Sequence, residues 1–301
     1  MNEKKSLLIV DDEKLVRDMI ADFFDKDYAV ETAENAEEAL RMPHLGSFRL
    51  VISDINMPGM PGYEFLKTAK ARHPSVKTVL ITAYNVDDYI RMAKEHGIAN
   101  IISKTVPFNF VEMSAVVRSL MEEDIFGMEK YMRPDARIIR DYEIKSSADA
   151  KRVREDILNI FAGYIQDTGE LRLVLDEIVT NALYHSVQDE TGREKYKEFS
   201  NVVLKENEYI NIRCALDNEK YGVSITDGQG TLTKDIVLYK IDRHIRGEGV
   251  LDDDGRGLFM ARIFADRLIV NIAPGKKTEI IIFNYRDKLY KGFKPLYINE
   301  L

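Results

Sequence analysis

The chain of 301 residues holds a single cysteine, Cys214, so no internal disulfide framework braces it. Cys214 lies in the alternating run "INIRCALD" and is read as a small core residue of a strand rather than a nucleophile. No run of 18 apolar residues occurs, so a membrane-spanning helix is not expected. The apolar run before Asp11 is too short for a secretory signal, and the cytoplasm is the expected location. Positive charge is also scarce: 43 Lys and Arg face 51 Asp and Glu, for a formal net charge of −8. That balance argues against nucleic acid as the partner. No G-x-x-x-x-G-K-[ST] occurs, which removes a P-loop nucleotide site. There is no internal repeat, no low-complexity tract and no helix-turn-helix with a basic recognition helix. What remains is 45% hydrophobic and 31% charged residues, a globular composition at a length that suits two domains.

The first third alternates strand and helix signals. "SLLIV", "AVETA", "RLVIS", "KTVLIT" and "NIIS" are short and mostly apolar, and amphipathic stretches such as "EKLVRDMIADFF" and "DDYIRMAKEH" lie between them. A repeated βα pattern predicts a doubly wound parallel sheet with helices on both faces. Ligands of such sheets bind at the carboxyl ends of the strands. There the sequence sets Asp11-Asp12, Asp54, Thr82 and Lys104. Three carboxylates at one sheet edge would repel each other unless a cation sits among them, and hard oxygen ligands with room for water suit Mg²⁺. A lysine and a hydroxyl opposite suit a phosphoryl group, with a carboxylate as its acceptor.

With "LLIVDDE", "VISDINMPGMPGYEFL", "TVLITA" and "IISK" in this order, residues 4–122 resemble a receiver domain of bacterial two-component signalling. Asp54 and Thr82 are 28 positions apart, and Thr82 and Lys104 are 22 apart, as in that family. The resemblance implies a flavodoxin-like fold, Asp54 as phosphoacceptor, Thr82 as switch hydroxyl, Lys104 as phosphoryl partner, and Mg²⁺ held by Asp11, Asp12, Asp54 and Asn56. It also implies an upstream histidine kinase as partner. Two departures stand out. "KTVPF" inserts two residues between Lys104 and Pro107-Phe108, and the usual aromatic switch position is Ile101.

Beyond residue 122 the sequence predicts a connector over 123–146, a second domain over 147–285 and a tail over 286–301. In the second domain, "DAKRVREDILNIFAGYI" and "ELRLVLDEIVTNALYHSV" carry apolar residues at helical spacing. Glu177 and Asn181 fall four apart on one helix face. Strand-like runs "NVVLKE", "YINIRCAL" and "YGVSITD" follow, the last ending in "DGQG". A long loop is expected up to "DDDGRGL", where Gly255-Arg256-Gly257 opens a helix. Free N–H groups at such a helix start and glycines that allow close approach suit an anion. "RLIVNIAPGKKTEIIIFN" reads as a hairpin turning at Pro274-Gly275. Helices followed by strands predict an α+β sandwich.

These motifs, in this order, resemble the ATP-binding domain shared by histidine kinases, gyrases and related ATPases, and in detail the anti-sigma-factor serine kinases. The resemblance implies Glu177 as general base, Asn181 as Mg²⁺ ligand and Asp227 as acceptor for the adenine amino group. Gly228 and Gly230 would form the first glycine box, and Gly255, Arg256 and Gly257 the phosphate cradle under a lid made by the preceding loop. Thr278 would reach toward the adenine. The first box departs from Asp-x-Gly-x-Gly by reading Asp227-Gly228-Gln229-Gly230. His185 is not read as a phosphorylated histidine, because the family carries that residue on a dimerising helix hairpin that this sequence does not show. Asp252–Asp254 read as a solvated acidic loop.

The combined expectation is a response regulator whose phosphorylated aspartate controls an ATP-dependent serine/threonine kinase of the anti-sigma type. Its cofactors would be Mg²⁺ and ATP, and its partner an anti-anti-sigma-like protein. The alternative is a module without catalysis that binds nucleotide to hold a shape and captures a sigma factor or similar protein. Homodimer formation stays open at this level.

Overall fold

The computed structural model describes residues 4–247, 256–287 and 292–301, and only the backbone of Arg256. The chain divides into two compact units, residues 1–124 with 291–297, and residues 125–290 with 298–301. Gly255 and Asp252–Asp254 lie outside the described residues, as does the side chain of Arg256.

In the first unit, β1 (Ser6–Val10), β2 (Ala29–Ala33), β3 (Leu50–Asp54), β4 (Lys77–Thr82) and β5 (Asn100–Ser103) form a parallel sheet in the order β2-β1-β3-β4-β5. The connecting helices are α1 (Lys14–Phe24), α2 (Ala36–Arg41), α3 (Gly62–Arg72) and α4 (Ile90–His96), with α5 (Phe110–Glu122) after the last strand. This is the expected doubly wound α/β architecture. β3 is buried at all five positions, as a central strand covered on both faces must be. α5 begins where the Asn109 side chain accepts the Glu112 N–H at 3.1 Å, and it buries Met113, Val116, Val117, Leu120 and Met121 along one stripe.

The second unit contains β6 (Arg137–Ile144), α6 (Ser147–Ala162), α7 (Gly169–Thr180), β7 (Ile210–Leu216), β8 (Lys220–Asp227), α8 (Lys234–Ile245), α9 (Arg256–Phe264), β9 (Arg267–Ala273) and β10 (Lys277–Tyr285). Its strands are antiparallel in the order β9-β10-β8-β7-β6. The hairpin at Pro274-Gly275 forms as expected, with Gly275 at φ +66°. α6 buries Val153, Ile157 and Phe161, and the Phe161 ring lies 4.9 Å from that of Tyr221 on β8. Mixed helices and antiparallel strands agree with the α+β expectation at that coarse level.

Four sequence expectations change. The segment 123–146 is not a plain connector, because 125–146 joins the second unit and supplies β6. β6 lacks apolar alternation because it is mostly solvent-facing, and Asp141 is set directly opposite Arg213 on β7, at 2.8 Å. "NVVLKE" is not a strand: it makes one isolated bridge, Ser146 to Val203, before a short 3₁₀ turn at Glu206–Glu208. The long loop after "DGQG" contains α8, whose Thr233 side chain accepts the Ile236 N–H at 3.3 Å and whose Val237, Leu238 and Ile241 are buried. The tail contains β11 (Leu296–Glu300).

Leu296 and Tyr297 of β11 pair antiparallel with Ile101 and Asn100 of β5 in the first unit. Asn299 and Leu301 belong to the second, where Asn299 Nδ2 donates to Asn271 Oδ1 at 2.8 Å and the Leu301 N–H to Ile272 O at 3.0 Å. Asn271 in turn donates to the buried Glu279, which also accepts from Ser224 Oγ at 2.7 Å and the Gly127 N–H at 2.9 Å. Among the described residues no helix is long and apolar enough to cross a membrane.

Candidate functional site

The first cluster forms at the carboxyl ends of β1, β3, β4 and β5. Asp11 follows β1 and is fully buried, Asp54 ends β3 at 4% exposure, and Thr82 ends β4 with its side chain buried. Lys104 follows β5, and its N–H donates to Thr82 O at 2.7 Å. The Lys104 Nζ lies 2.6 Å from Asp54 Oδ1 and 2.9 Å from Asp11 Oδ2, with Glu13 Oε1 farther off at 3.5 Å. The contact to Asp11 Oδ2 is an ion pair without hydrogen-bond alignment, so that buried oxygen has no hydrogen-bond partner. Asp11 Oδ1 accepts the Glu13 N–H at 2.9 Å, and Asp54 Oδ2 accepts the Asn56 N–H at 2.7 Å.

Burial pushes the Asp11 carboxyl above the usual carboxylate range; Lys104 pulls it down, less strongly, and Asp54 adds to the rise. For Lys104 burial is the largest effect and lowers the ammonium pKa. The hydrogen bond and charge of Asp54, with the charge of Asp11, together outweigh it and leave Lys104 raised.

The sequence placed three carboxylates together; the structure brings two together, with the ammonium in their gap. Asp12 is exposed, and the exposed Asn56 uses its side-chain amide to reach Tyr89 OH at 3.0 Å. Among the described residues no group of three or more His, Cys, Asp or Glu side chains stands at metal-ligating spacing. The sequence reading also passed over Gly62. A Cβ there would strike the Asp54 carbonyl oxygen, so α3 can begin this close to the cluster only with glycine.

The second cluster surrounds a cavity of about 270 Å³ inside the second unit. Asn181, Asp227 and Leu258 are on its wall, together with Ile178, Ile225 and Ile280. Asn181 follows α7 in a π-helical turn, Asn181–His185. Asp227 ends β8 and is 8% exposed; its Oδ1 accepts the N–H groups of Gln229 at 2.9 Å and Gly230 at 3.2 Å. Burial raises the Asp227 carboxyl above its ordinary range, and the two N–H groups partly oppose this. Thr278 pairs with Asp227 across β10 and β8, and its buried Oγ1 has no hydrogen-bond partner.

Gly257 in α9 lies against α7: a Cβ there would collide with Asn181 Nδ2 and come within 3.3 Å of Glu177 Cβ. Glu177 itself is not on the cavity wall. Gly228 approaches Asn207 O, and Gly230, at φ +61°, fits beneath the β9–β10 turn, where a Cβ would meet the N–H of Lys276 at 2.6 Å. Gly230 thus has a structural demand of its own. Residues the sequence reading did not place here are His185, Glu194 and Lys240. His185 Nδ1 lies 2.8 Å from Glu194 Oε1. The position of His185 one turn after Asn181 was the available signal for it.

Residues 7–118 match the response regulator receiver domain. The sporulation initiation phosphotransferase F of Bacillus subtilis is 34% identical over 122 residues, covering 40% of this chain and 95% of that protein. Response regulator Rre1 of Synechocystis is 39% identical over 127 residues, covering 40% of this chain and 53% of Rre1. The hydrogenase transcriptional regulatory protein HoxA of Cupriavidus necator is 28% identical over 156 residues, covering 50% of this chain and 32% of HoxA. The chain therefore spans about half of Rre1 and a third of HoxA, and nearly all of the phosphotransferase. With the sheet order and the cluster at its carboxyl edge, the likeness over 34% of aligned positions to a protein covered almost end to end assigns the chain, through its N-terminal unit, to the response regulator receiver family.

Proposed function

We propose that Asp54 accepts a phosphoryl group and that the second unit is a nucleotide-binding output under its control. Receiver chemistry uses Mg²⁺, which supplies charge neutralisation for the transferred group. The donor set fits that ion: Asp11 Oδ2 is a buried hard oxygen lacking a hydrogen bond, beside the Asp54 carboxylate. Asp11 and Asp54 would hold it, with Asp12 and Asn56 at the rim. Asp54 attacks the phosphorus of a donor such as a phosphohistidine, the P–N bond breaks, and the imidazole leaves with a proton. Lys104, already 2.6 Å from Asp54, then pairs with the phosphoryl oxygens, and Thr82 offers its hydroxyl.

In the second unit one observation carries the reading. A single cavity gathers Asn181, Asp227 and the start of α9, while Thr278 stands in register with Asp227. Asp227 has one oxygen tied to its own loop, and Thr278 has a buried hydroxyl to offer, a pairing that suits a base amino group. At about 270 Å³ the cavity takes part of a nucleotide rather than all of it. ATP would be held by Asn181 through Mg²⁺, by Asp227 and Thr278 at the adenine, by Gly228 at the box, and by Gly255, Arg256 and Gly257 at the phosphates. Glu177, beside Gly257, would be the base of an anti-sigma-type serine/threonine kinase acting on an anti-anti-sigma-like protein. The position of Glu177 off the cavity wall and the structural demand on Gly230 favour a second reading, in which nucleotide only sets a shape that captures a sigma factor or similar partner.

The test compares Glu177→Ala and Asn181→Ala by calorimetry with Mg-ATP and by cellular output. A kinase predicts normal ATP affinity and lost output for Glu177→Ala, with transfer down by about 10²–10⁴-fold, the usual contribution of a positioned base. Normal affinity with normal output leaves capture as the function. Absence of ATP binding by the wild type at millimolar nucleotide rejects both.

A further inference from the structure

The C-terminal residues 292–297 are bound to the receiver in a way the phosphorylation chemistry does not require. Leu296 and Tyr297 add antiparallel to β5 as an extra strand at its edge and are 2% and 1% exposed. The Tyr297 hydroxyl lies 3.3 Å from Oε2 of Glu112, a buried carboxylate in the first turn of α5. Upstream, Gly292 adopts φ +86°, and a Cβ there would collide with Thr105 Cγ2 and come within 3.5 Å of Ser103 Oγ. Ser103 and Thr105 are the chain neighbours of Lys104. One short segment thus touches β5, the first turn of α5 and both residues flanking the lysine that bridges Asp11 and Asp54.

We infer that residues 292–297 are a strap on the receiver whose docking is set by the charge at Asp54. The inference rests on the proposed roles of Asp54 and Lys104. A phosphoryl group on Asp54 gives the Lys104 ammonium a new, more highly charged partner. In this proposal the backbone of residues 103–105, tied to β4 by the Lys104 N–H to Thr82 O bond at 2.7 Å, shifts with that side chain. Gly292 lies so close to Thr105 that an added Cβ would collide with it, and close-packed contacts switch rather than stretch. The strap therefore loosens when Asp54 is modified. By linkage, weakening the strap must favour the modified state by the same factor. Residues 298–301, which continue the same strand, belong to the second unit, so the strap is also a covalent lead into the output.

The test is hydrogen exchange with mass spectrometry on the full chain, using Mg²⁺ and beryllium fluoride as a non-covalent stand-in for the phosphoryl group. Exchange at 296–297 and in β5 should accelerate about five-fold or more, the low end of ordinary allosteric coupling, and Asp54→Asn should abolish the effect. Gly292→Val, which adds a branched side chain against Thr105 at positive φ, should tighten beryllium fluoride binding by a comparable factor. Tyr297→Phe, which removes the hydroxyl contact to Glu112, should do so more weakly while keeping the fold. Protection at residues 54–60 and 82–85 with unchanged or slower exchange at 296–297 overturns the strap alone. No protection at either site overturns the strap and the receiver assignment of Asp54 together.

Discussion

At the scale of single residues, the two clusters use buried carboxylates in different ways. Asp54 is held by an ammonium at 2.6 Å, a pairing that places a cation where a phosphoryl group would need one. An acid-stable, base-labile adduct should form on the wild type with a small phosphodonor and Mg²⁺, and Asp54→Asn should stay unlabelled. Equal labelling of both proteins removes Asp54 as the acceptor. Asp227 instead turns one oxygen onto its own loop, and the residue lines the cavity. Asp227→Asn should weaken ATP binding by about 1.5–3 kcal/mol, the net value of a hydrogen bond to a charged group. Calorimetry on the two proteins measures it, and equal affinity would move the adenine elsewhere. Cys214 is fully buried, and burial, with a smaller contribution from Asp141, pushes its thiol up to about 12. At pH 8 the native protein should resist iodoacetamide and take up one adduct only when unfolded in urea, as counted by intact mass.

At the scale of elements, two features carry energy that no motif announced. α8 opens on the Thr233 cap, one turn ahead of the buried Val237, Leu238 and Ile241. Thr233→Ala should cost about 1 kcal/mol, read as a lower urea midpoint, whereas a true loop would show no change. Glu279 anchors a network in which Ser224, Asn271 and the Gly127 N–H all donate to it. Glu279→Ala would leave two buried donors, Ser224 and Asn271, and the half-buried Gly127 N–H without their acceptor. A loss of about 3 kcal/mol or more is expected from unsatisfied groups at roughly 1–3 kcal/mol each. A loss below about 1 kcal/mol in the same urea titration would mean that water replaces the carboxylate.

Across the molecule, one compact unit holds the Asp54–Lys104 cluster and the other the cavity lined by Asn181 and Asp227. A ligand stabilises only the state that binds it, by about 2.7 kcal/mol at a hundred times its dissociation constant. Mg-ATP should therefore raise the melting temperature of the full chain and protect amides at 178–188 and 225–232. It should leave residues 54–60 unprotected. Beryllium fluoride with Mg²⁺ should protect the latter directly. Nucleotide protection confined to the first unit would invert the assignment of the sites.

The strands and helices of residues 4–122 are legible in the sequence. Parallel strands buried on both faces read as short apolar runs, and the strand ends carry the chemistry, so Asp11, Asp54, Thr82 and Lys104 are legible in order. The sequence also determined α6, α7, the β9–β10 hairpin, and the pairing of Glu177 with Asn181 by helical spacing. That Asp12 is exposed while Lys104 bridges Asp11 and Asp54 emerges from the fold, since which side chain turns inward depends on packing at the strand end. Only the structure decided that 137–144 is a strand, because an edge strand facing water needs no apolar alternation. The same holds for Gly62, whose Cβ would strike Asp54 O at the end of β3, for Gly257, whose Cβ would strike Asn181 at the end of α7, and for β11. Leu296 and Tyr297 of that strand pair with β5, nearly 200 residues earlier in the sequence. Local pattern cannot encode a partner at that distance.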